Sequence, residues 1–322
     1  MKSKNYIILI LVLLVFLSTS VLAKVEVGGE VESKIRTLIN DQGSDSFLLN
    51  KINLNFLLPA NSTTEAKFAV NLFSNRSDYQ VKKLYLAHYF PKFDLTIGRQ
   101  PISWSFGSLL NPVDFNLGAE TMGEKREAKV VDAVEIYYPV NWNTGLTGVA
   151  SFSQQGQVKE GLRARTYYKG YDLSANYIKD YQGNRRFGIS GKGDLGPVGI
   201  YGAIAYYSKA GVPVYLVGVD YSFQFNDFNK LTLQGEYLRN EAGSYIGLGD
   251  QLVAGFANYK INNFSNFSSY MIVSLSDDLT GMLAGSYQKQ LGTNLDFELS
   301  TSITKNNNQV TKVIEMSFSY PF

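Results

Sequence analysis

Cysteine is missing from the 322-residue chain, and histidine occurs once. Without cysteine, the chain can form neither a disulfide scaffold nor a lipoprotein anchor on an N-terminal cysteine. Its one histidine, His88, has no accompanying serine pattern, whereas a catalytic histidine needs a nucleophile and an orienting partner within hydrogen-bond reach. Metal-binding and glycine-rich phosphate-binding motifs are missing too. We therefore expect a protein that is not an enzyme and needs no metal and no cofactor.

A strong net charge is also missing. The chain carries 30 Lys and Arg against 28 Asp and Glu. Removing residues 1–23 would take away Lys2 and Lys4 and no acid, leaving 28 against 28. A neutral chain gives no support to a nucleic-acid partner. With 45% hydrophobic residues, 14% aromatic residues and 22 tyrosines, it is too apolar to be disordered.

A long apolar run occurs only once, near the start of the chain. Lys2 and Lys4 precede an unbroken apolar stretch from Ile7 to Leu17, and a small-residue cleavage site ends at Ala23. This order is typical of a secretory signal peptide over residues 1–23. An uncleaved transmembrane anchor is the alternative, but the run is shorter than the ~20 residues that a spanning helix needs. We expect a single exported domain over residues 24–322.

The rest of the sequence alternates apolar and polar residues in short segments, which indicates strands rather than helices. We predict about eighteen of them, starting near residues 24, 46, 64, 80, 93, 130, 144, 160, 171, 185, 198, 213, 230, 250, 265, 279, 294 and 311. Sixteen strands stay open, because VVDAVEIYYP and EGLRARTYYK have ambiguous faces. An even number of this size is typical of a transmembrane antiparallel up-and-down β-barrel, an all-β fold.

Prolines and connection lengths favour this division into strands. No proline falls in the middle of a predicted strand, where its missing N–H would break the ladder. Tight turns alternate with longer loops along the whole chain, as in barrels of the outer membrane. Aromatic residues recur at the tight turns and predict a girdle at one membrane boundary: Phe90, Phe93, Trp142, Tyr168, Tyr171, Phe225, Phe228, Phe264, Phe297 and Phe322. A soluble β-sandwich or propeller is the alternative fold.

The last segment, VIEMSFSYPF, places Phe318, Tyr320 and Phe322 on one apolar face. A final strand of this kind resembles the C-terminal signature of outer-membrane barrels from diderm bacteria. The resemblance implies that Phe318, Tyr320 and Phe322 are an insertion signal, read by the barrel-insertion machinery. It also implies localisation in the outer membrane, with outer-membrane lipid as a partner. A homotrimer stays open.

The opposite parity of the strands faces the lumen, and it divides by charge. One predicted wall is acidic: Glu26, Glu30, Glu32, Asp296, Glu298 and Glu315. A basic wall halfway round the ring contains Arg163, Arg165, Lys169, Arg186 and Lys192. Facing walls of opposite sign would produce a field across the pore and orient dipolar solutes. A chance partition of charges is the alternative, since any barrel lumen is polar.

The segment from Gln100 to Lys129 is too long and too apolar for an ordinary connector. We expect loop 100–129 to fold into the lumen and narrow it rather than to cap the rim. The predicted constriction contains Arg99, Trp104, Phe106, Asn111 and Asp114. Its string GRQ, followed by W, G and NPVD, resembles an element of porin-like barrels related to alginate-export channels, although WSFG stands where a closer WG is common. The resemblance implies a specific or semi-specific channel.

The sequence thus predicts an outer-membrane porin whose water-filled channel passes small hydrophilic solutes and ions by passive diffusion. Two alternatives stay open. A substrate-specific channel would carry oligosaccharides or organic acids and would use Trp104, Phe106 and inward tyrosines as a stacking surface. The other is a structural barrel that does not conduct.

Overall fold

The computed structural model describes residues 25–61, 63–74, 79–106, 109–117, 129–241, 249–276, 280–306 and 309–322. The predicted signal peptide, residues 1–23, lies outside the described residues, as does the 118–128 part of the long loop. Within the described ranges, no helix has the length and apolarity required to cross a bilayer.

Eighteen strands make up the described structure. Their bounds are β1 Glu26–Asn40, β2 Gly43–Asn61, β3 Thr64–Phe73, β4 Tyr79–Tyr89, β5 Asp94–Pro101, β6 Val130–Pro139, β7 Thr144–Phe152, β8 Val158–Tyr168, β9 Tyr171–Lys179, β10 Arg185–Leu195, β11 Val198–Tyr207, β12 Val212–Gln224, β13 Lys230–Asn240, β14 Gln251–Asn262, β15 Ser265–Ser274, β16 Gly281–Leu291, β17 Leu295–Asn306 and β18 Gln309–Pro321. Every predicted start lies within three residues of an observed one.

The sheet closes on itself. Each strand pairs antiparallel with its neighbour in sequence, and β18 pairs with β1 over ten positions, from Glu30 opposite Pro321 to Ile39 opposite Lys312. Closure leaves no unpaired strand edge, which lipid could not hydrate. The predicted all-β antiparallel barrel of eighteen strands is confirmed, and both the sixteen-stranded count and the soluble sandwich are wrong.

Side chains alternate between a lipid-type outer face and the lumen. On β11, for example, Ile204 and Tyr206 are 44% and 45% exposed, while the alternate residues Ala203 and Ala205 are 6% and 0% exposed. The same alternation runs through the other strands, with large apolar residues on the outside. A soluble protein would bury such a surface, because apolar area in water is unfavourable.

The two ends of the barrel differ in their connections. One end, here called the turn end, carries Phe322 and has connections of only two to five residues. The opposite end, the loop end, carries the connections 102–129 and 241–250. All ten residues of the predicted girdle lie at the turn end or in its strand termini, and Trp142, Phe225, Phe264 and Phe322 are among the most exposed aromatic residues.

The C-terminus is bound to the first strand. The Phe322 N–H donates to Gly29 O at 3.0 Å, and the Gly29 N–H donates to Phe322 O at 2.9 Å. Phe318, Tyr320 and Phe322 all point outward and are 39%, 48% and 53% exposed. The three rings are accessible, so the insertion signal predicted for this face stays a proposal.

Candidate channel and constriction loop

The described part of the long loop, residues 102–106 and 109–117, packs against the inner wall of the barrel. Leu109, Leu110 and Val113 form one buried apolar cluster with inward residues of β11 to β15: Ala203, Ala205, Val214, Leu216, Leu238, Leu252, Ala254 and Ile272. Burying this surface is favourable by about 25 cal/mol per Å². These small and apolar inward residues form a seat for the loop.

A second buried cluster lies on the neighbouring strands. Ile102, Trp104 and Phe115 of the loop pack with Ala133, Val149 and Ile178 of β6, β7 and β9. The rings of Trp104 and Phe115 are 5.3 Å apart between centroids. Both rings rest on Gly161 of β8, where an added Cβ would come within 2.7 Å of Trp104 and 2.8 Å of Phe115. Glycine is needed there because no larger residue leaves room for the two rings.

Glu236 of β13 binds the start of the 109–117 stretch of the loop. Its carboxylate accepts the N–H groups of Leu109 and Leu110 at 2.6 and 2.7 Å, and the side chain is 4% exposed. The Tyr201 hydroxyl and the Gln234 amide each donate to the same carboxylate at 2.7 Å. A buried carboxylate needs such donors to replace its lost hydration. Glu236 therefore ties the loop backbone to the wall.

Other wall residues bind the carbonyl groups of the same segment. Asn176 of β9 donates to Val113 O at 2.8 Å, and Tyr207 of β11 donates to Pro112 O at 3.4 Å. Arg186 of β10 donates to Asp114 O, and Lys159 of β8 donates to Phe115 O. Side chains from five strands thus hold the loop by its main chain, which fixes its position whatever the loop side chains are.

Asp114 organises the loop internally. One carboxylate oxygen accepts the Trp104 N–H at 2.7 Å and the other accepts the Ser103 hydroxyl at 2.9 Å. Burial raises the pKa of Asp114, although these hydrogen bonds and the nearby Arg186 charge act in the opposite direction. Asp114 therefore links the 102–106 stretch of the loop to the 109–117 stretch.

An open cavity of about 1280 Å³ occupies the side of the lumen that the loop leaves clear. Its walls come mainly from β1 to β4 and β14 to β18. They are rich in hydroxyl and amide groups: Asn53, Asn55, Asn71, Asn258, Ser268, Ser286, Gln288, Ser300, Ser302, Ser317 and Ser319. Side chains of this kind hydrate well, so this half of the lumen is suited to water and polar solutes.

The predicted acidic residues lie on this cavity, with one exception. Glu30, Glu32, Asp296, Glu298 and Glu315 line it, whereas Glu26 lies exposed at the first position of β1. Several are paired with cations from adjacent strands. Lys34 lies 3.1 Å from Glu32 and 3.6 Å from Glu315, while Lys51 and Arg36 complete the network. The cavity also has Lys82, Lys83 and Lys260 in its lining.

The predicted basic residues lie on the side of the barrel opposite the open cavity, on β8, on β10 and in the β8–β9 turn. Arg186 is 6% exposed and holds the loop, and Arg163 is half-buried opposite Asn176. Arg165 pairs with Asp172, and Lys192 pairs with Asp220 at 3.0 Å. Lys169 lies in the β8–β9 turn with φ 50°, so it is not on a strand wall. None of the five lines the open cavity described above.

The predicted constriction residues separate into two groups. Trp104, Asn111 and Asp114 are buried at 2%, 4% and 6% exposure, and Phe106 is half-buried. Arg99 lies on the opposite face of β5 from buried Gln100, and it contacts Val81 O at 2.8 Å and Asp132 at 3.4 Å. The structure therefore does not bring Arg99 together with the other four.

Sequence reasoning missed the residues that hold the loop: Glu236, Asn176, Lys159 and Tyr207. A signal for the seat itself was present, since Gly161, Gly188, Ala203 and Ala205 put minimal side chains on inward positions of β8 to β11. Such positions leave room for another segment of chain. His88 forms a hydrogen bond with Thr64 at 2.6 Å, and its ring lies 4.2 Å from the Phe90 ring between centroids.

Comparison with protein-family models and with curated proteins gives no match. Solved structures do match over nearly the whole chain. OccK11 (OpdR) of Pseudomonas aeruginosa superposes with a TM-score of 0.65 at 7% identity, covering 92% of this chain and 96% of that one. The fold is that of outer-membrane channel barrels.

Two further structures extend this likeness. OccK2 (OpdF) of P. aeruginosa, in complex with glucuronate, has a TM-score of 0.61 at 8% identity and covers 93% of this chain and 98% of its own. Wzi of Escherichia coli, described as a carbohydrate-binding β-barrel involved in capsule assembly, has a TM-score of 0.63 at 15% identity, with coverages of 93% and 85%. At these identities the likeness concerns the fold, and the element resembling alginate-export barrels stays a prediction.

Proposed function

We propose that the protein is an outer-membrane porin through which small hydrophilic solutes and ions diffuse passively. The observation that carries this proposal is the open, polar cavity of about 1280 Å³ beside a loop that is tied to the opposite wall. A barrel of this size has room for a water-filled path, and the inserted loop reduces its width. The exported chain would lie in the outer membrane with its aromatic girdle at the lipid boundary.

The charged side chains of the cavity support a channel that selects solutes by their charge and dipole rather than by their shape. Carboxylates of β1, β17 and β18 face a lumen that also contains Lys82 and Lys83 of β4 and Lys260 of β14. Solutes would pass groups of both signs in a region of lowered dielectric, where a dipole is oriented by the local field. The proposed basic wall, with Arg163 and Arg165, would contribute to this field from the loop side.

The stacking surface of the substrate-specific alternative is not favoured by the burial of its residues. Trp104 is 2% exposed and is covered by Phe115 and the wall, so no solute can stack on its ring. Similar barrels include one solved with glucuronate and one described as carbohydrate-binding. We extend from them only the passage of small polar solutes.

Planar-bilayer recording of the purified protein tests the proposal. Passive diffusion predicts ohmic conductance without block by added sugars. Concentration-dependent block by an oligosaccharide would instead indicate a specific channel, and a silent bilayer would indicate a structural barrel.

The reversal potential in a salt gradient then tests the path. Replacing Lys83 by Glu changes the charge of the cavity wall by two, so we expect a shift toward cation selectivity. Lys312→Glu is the matched control, because Lys312 lies exposed on the outer face of β18. Equal shifts of the reversal potential in Lys83→Glu and Lys312→Glu would mean that ions do not pass through this cavity.

A further inference from the structure

Three cationic side chains lie behind the constriction loop, on the inner face of β8 and β10. Lys159 and Arg186 are 9% and 6% exposed, and Arg163 is half-buried. They bind neutral groups: Lys159 donates to Phe115 O and, at 3.0 Å, to Asn116 Oδ1, while Arg186 donates to Asp114 O and to Tyr207 Oη at 3.2 Å. Within the described part of the chain, none of the three is in a salt bridge.

The charges in this region do not balance. The carboxylates that act electrostatically on Arg163 or Lys159 are Asp172, Asp114, Glu135 and Asp180, and the other cations that act on them are Arg165 and Lys129. With Lys159, Arg163 and Arg186 there are five cations against four carboxylates, which leaves one positive charge. Arginine does not lose its proton in proteins, and a buried charge without a counter-charge is strongly unfavourable. The region therefore calls for one additional negative charge.

Unused hydrogen-bond donors occur in the same place. Arg163 Nε, Arg186 Nε and Asn111 Nδ2 are buried and have no hydrogen-bond partner among the described residues. Asn111 and Arg186 are both more than nine-tenths buried. The three side chains lie in one region of the fold. Asn176 of β9 is opposite Arg163 on one side and opposite Gly188, two residues from Arg186, on the other, and it donates to Val113 O in the turn that contains Asn111. The acceptor Asn176 Oδ1 is also unpartnered, and it lies against Gly188 and Val113.

We propose that one chloride-sized monovalent anion binds here, between the loop and β8 to β10, with Arg163, Arg186 and Asn111 as its donors. A single charge is indicated by the surplus of one. A small ion is indicated because Asn176 and Val113 already fill the space over Gly188, two residues from Arg186. The anion would hold the loop on its seat and would not travel through the pore, since these residues do not line the open cavity.

Halide-dependent stability tests the site. The purified barrel is unfolded by heat in sodium chloride, sodium bromide or sodium gluconate at one sodium concentration, so that ionic strength is constant. A ligand that binds the folded state raises the midpoint in a saturable way, and we expect a rise of about 2 to 4 °C with chloride and bromide but not with the large gluconate ion. Arg163→Gln should abolish the rise.

Arg165→Gln is the matched control. Arg165 lies two residues away on the same strand and face, but it is paired with Asp172. Its replacement should leave the halide dependence intact. Equal midpoints in all three salts for the unmodified protein, or equal loss of the effect in both variants, would overturn the proposal.

Bromide also locates the site without any variant. Crystals of the unmodified protein grown in bromide should give an anomalous peak within hydrogen-bond distance of Arg163 and Arg186. An ordered water at that position, without anomalous signal, would refute the anion and assign the donors to solvent. This result would not affect the proposed conduction through the cavity.

Discussion

Removing the Glu236 carboxylate should loosen the constriction loop while the barrel stays closed. In the Glu236→Ala variant, the N–H groups of Leu109 and Leu110 lose the acceptor that binds them at 2.6 and 2.7 Å. A buried donor left without a partner costs about 1 to 3 kcal/mol. For two donors, the free energy of opening this part of the loop should fall by at least about 2 kcal/mol, which is roughly a thirtyfold increase in the open population.

Hydrogen exchange and single-channel recording together measure this effect. Exchange of the amides of residues 109 and 110 should accelerate about thirtyfold. Conductance should become noisier and larger on average, because the loop would intermittently free part of the lumen. Residues 113–115 should keep slow exchange, since Asn176, Arg186 and Lys159 still bind that part of the loop.

Two variants separate the carboxylate from its surroundings. Glu236→Gln keeps one carbonyl oxygen as an acceptor and should have an intermediate effect. Tyr201→Phe removes a hydroxyl that binds the same carboxylate at 2.7 Å but leaves both loop hydrogen bonds in place, so its effect should be small. If Glu236→Ala leaves amide exchange and conductance unchanged, Glu236 does not hold the loop and the reasoning is refuted.

Three further predictions concern closure, the loop seat and pH. Gly29→Val should destabilise the closed barrel by about 1 to 3 kcal/mol in a thermal unfolding assay, because a Cβ at this position would lie 2.4 Å from Asn53 O and 2.6 Å from the Phe322 ring. Gly28→Ala should be tolerated, because its Cβ would lie 3.4 Å from Phe322 O. Gly161→Val should displace the aromatic pair of the loop and raise conductance; Gly148→Val, whose Cβ contacts a leucine at 3.6 Å, should leave conductance unchanged. Because burial raises the pKa of Asp114, the folded protein binds a proton on this carboxylate more tightly than the unfolded chain does. The unfolding midpoint should therefore fall as the pH rises from 3.8, the ordinary pKa, through the higher pKa of the folded state. Asp114→Asn should remove this part of the pH dependence.

The barrel could be predicted because its rules are local. Alternation along a segment such as residues 309–321 requires only that one face meets lipid and the other meets the lumen, and prolines exclude most alternative divisions. An even number of about eighteen strands and the alternation of turn lengths are typical of a closed barrel, so closure could be predicted as well. None of this depends on which distant residues touch each other.

The loop contacts could not be predicted, because they join residues far apart in sequence. Leu109 and Glu236 are separated by 127 positions, and an inward glutamate on a barrel strand reads as an ordinary lumen charge. For the same reason, the sequence pattern places Arg186 on an open basic wall, whereas the structure buries it against the loop. Whether an inward cation faces water or the carbonyl groups of a loop depends on where the loop lies, and alternation contains no information about that.

Cysteine accessibility tests the central claim most directly, and the cysteine-free sequence makes the experiment clean. Three single cysteines test three places: position 300 lines the open cavity, position 299 lies on the outer face, and position 203 lies beneath the loop. A charged, membrane-impermeant thiol reagent should react with Ser300→Cys and lower the conductance, but should leave the channel with Leu299→Cys or Ala203→Cys unchanged. Reaction and block at position 203 with none at position 300 would contradict the account.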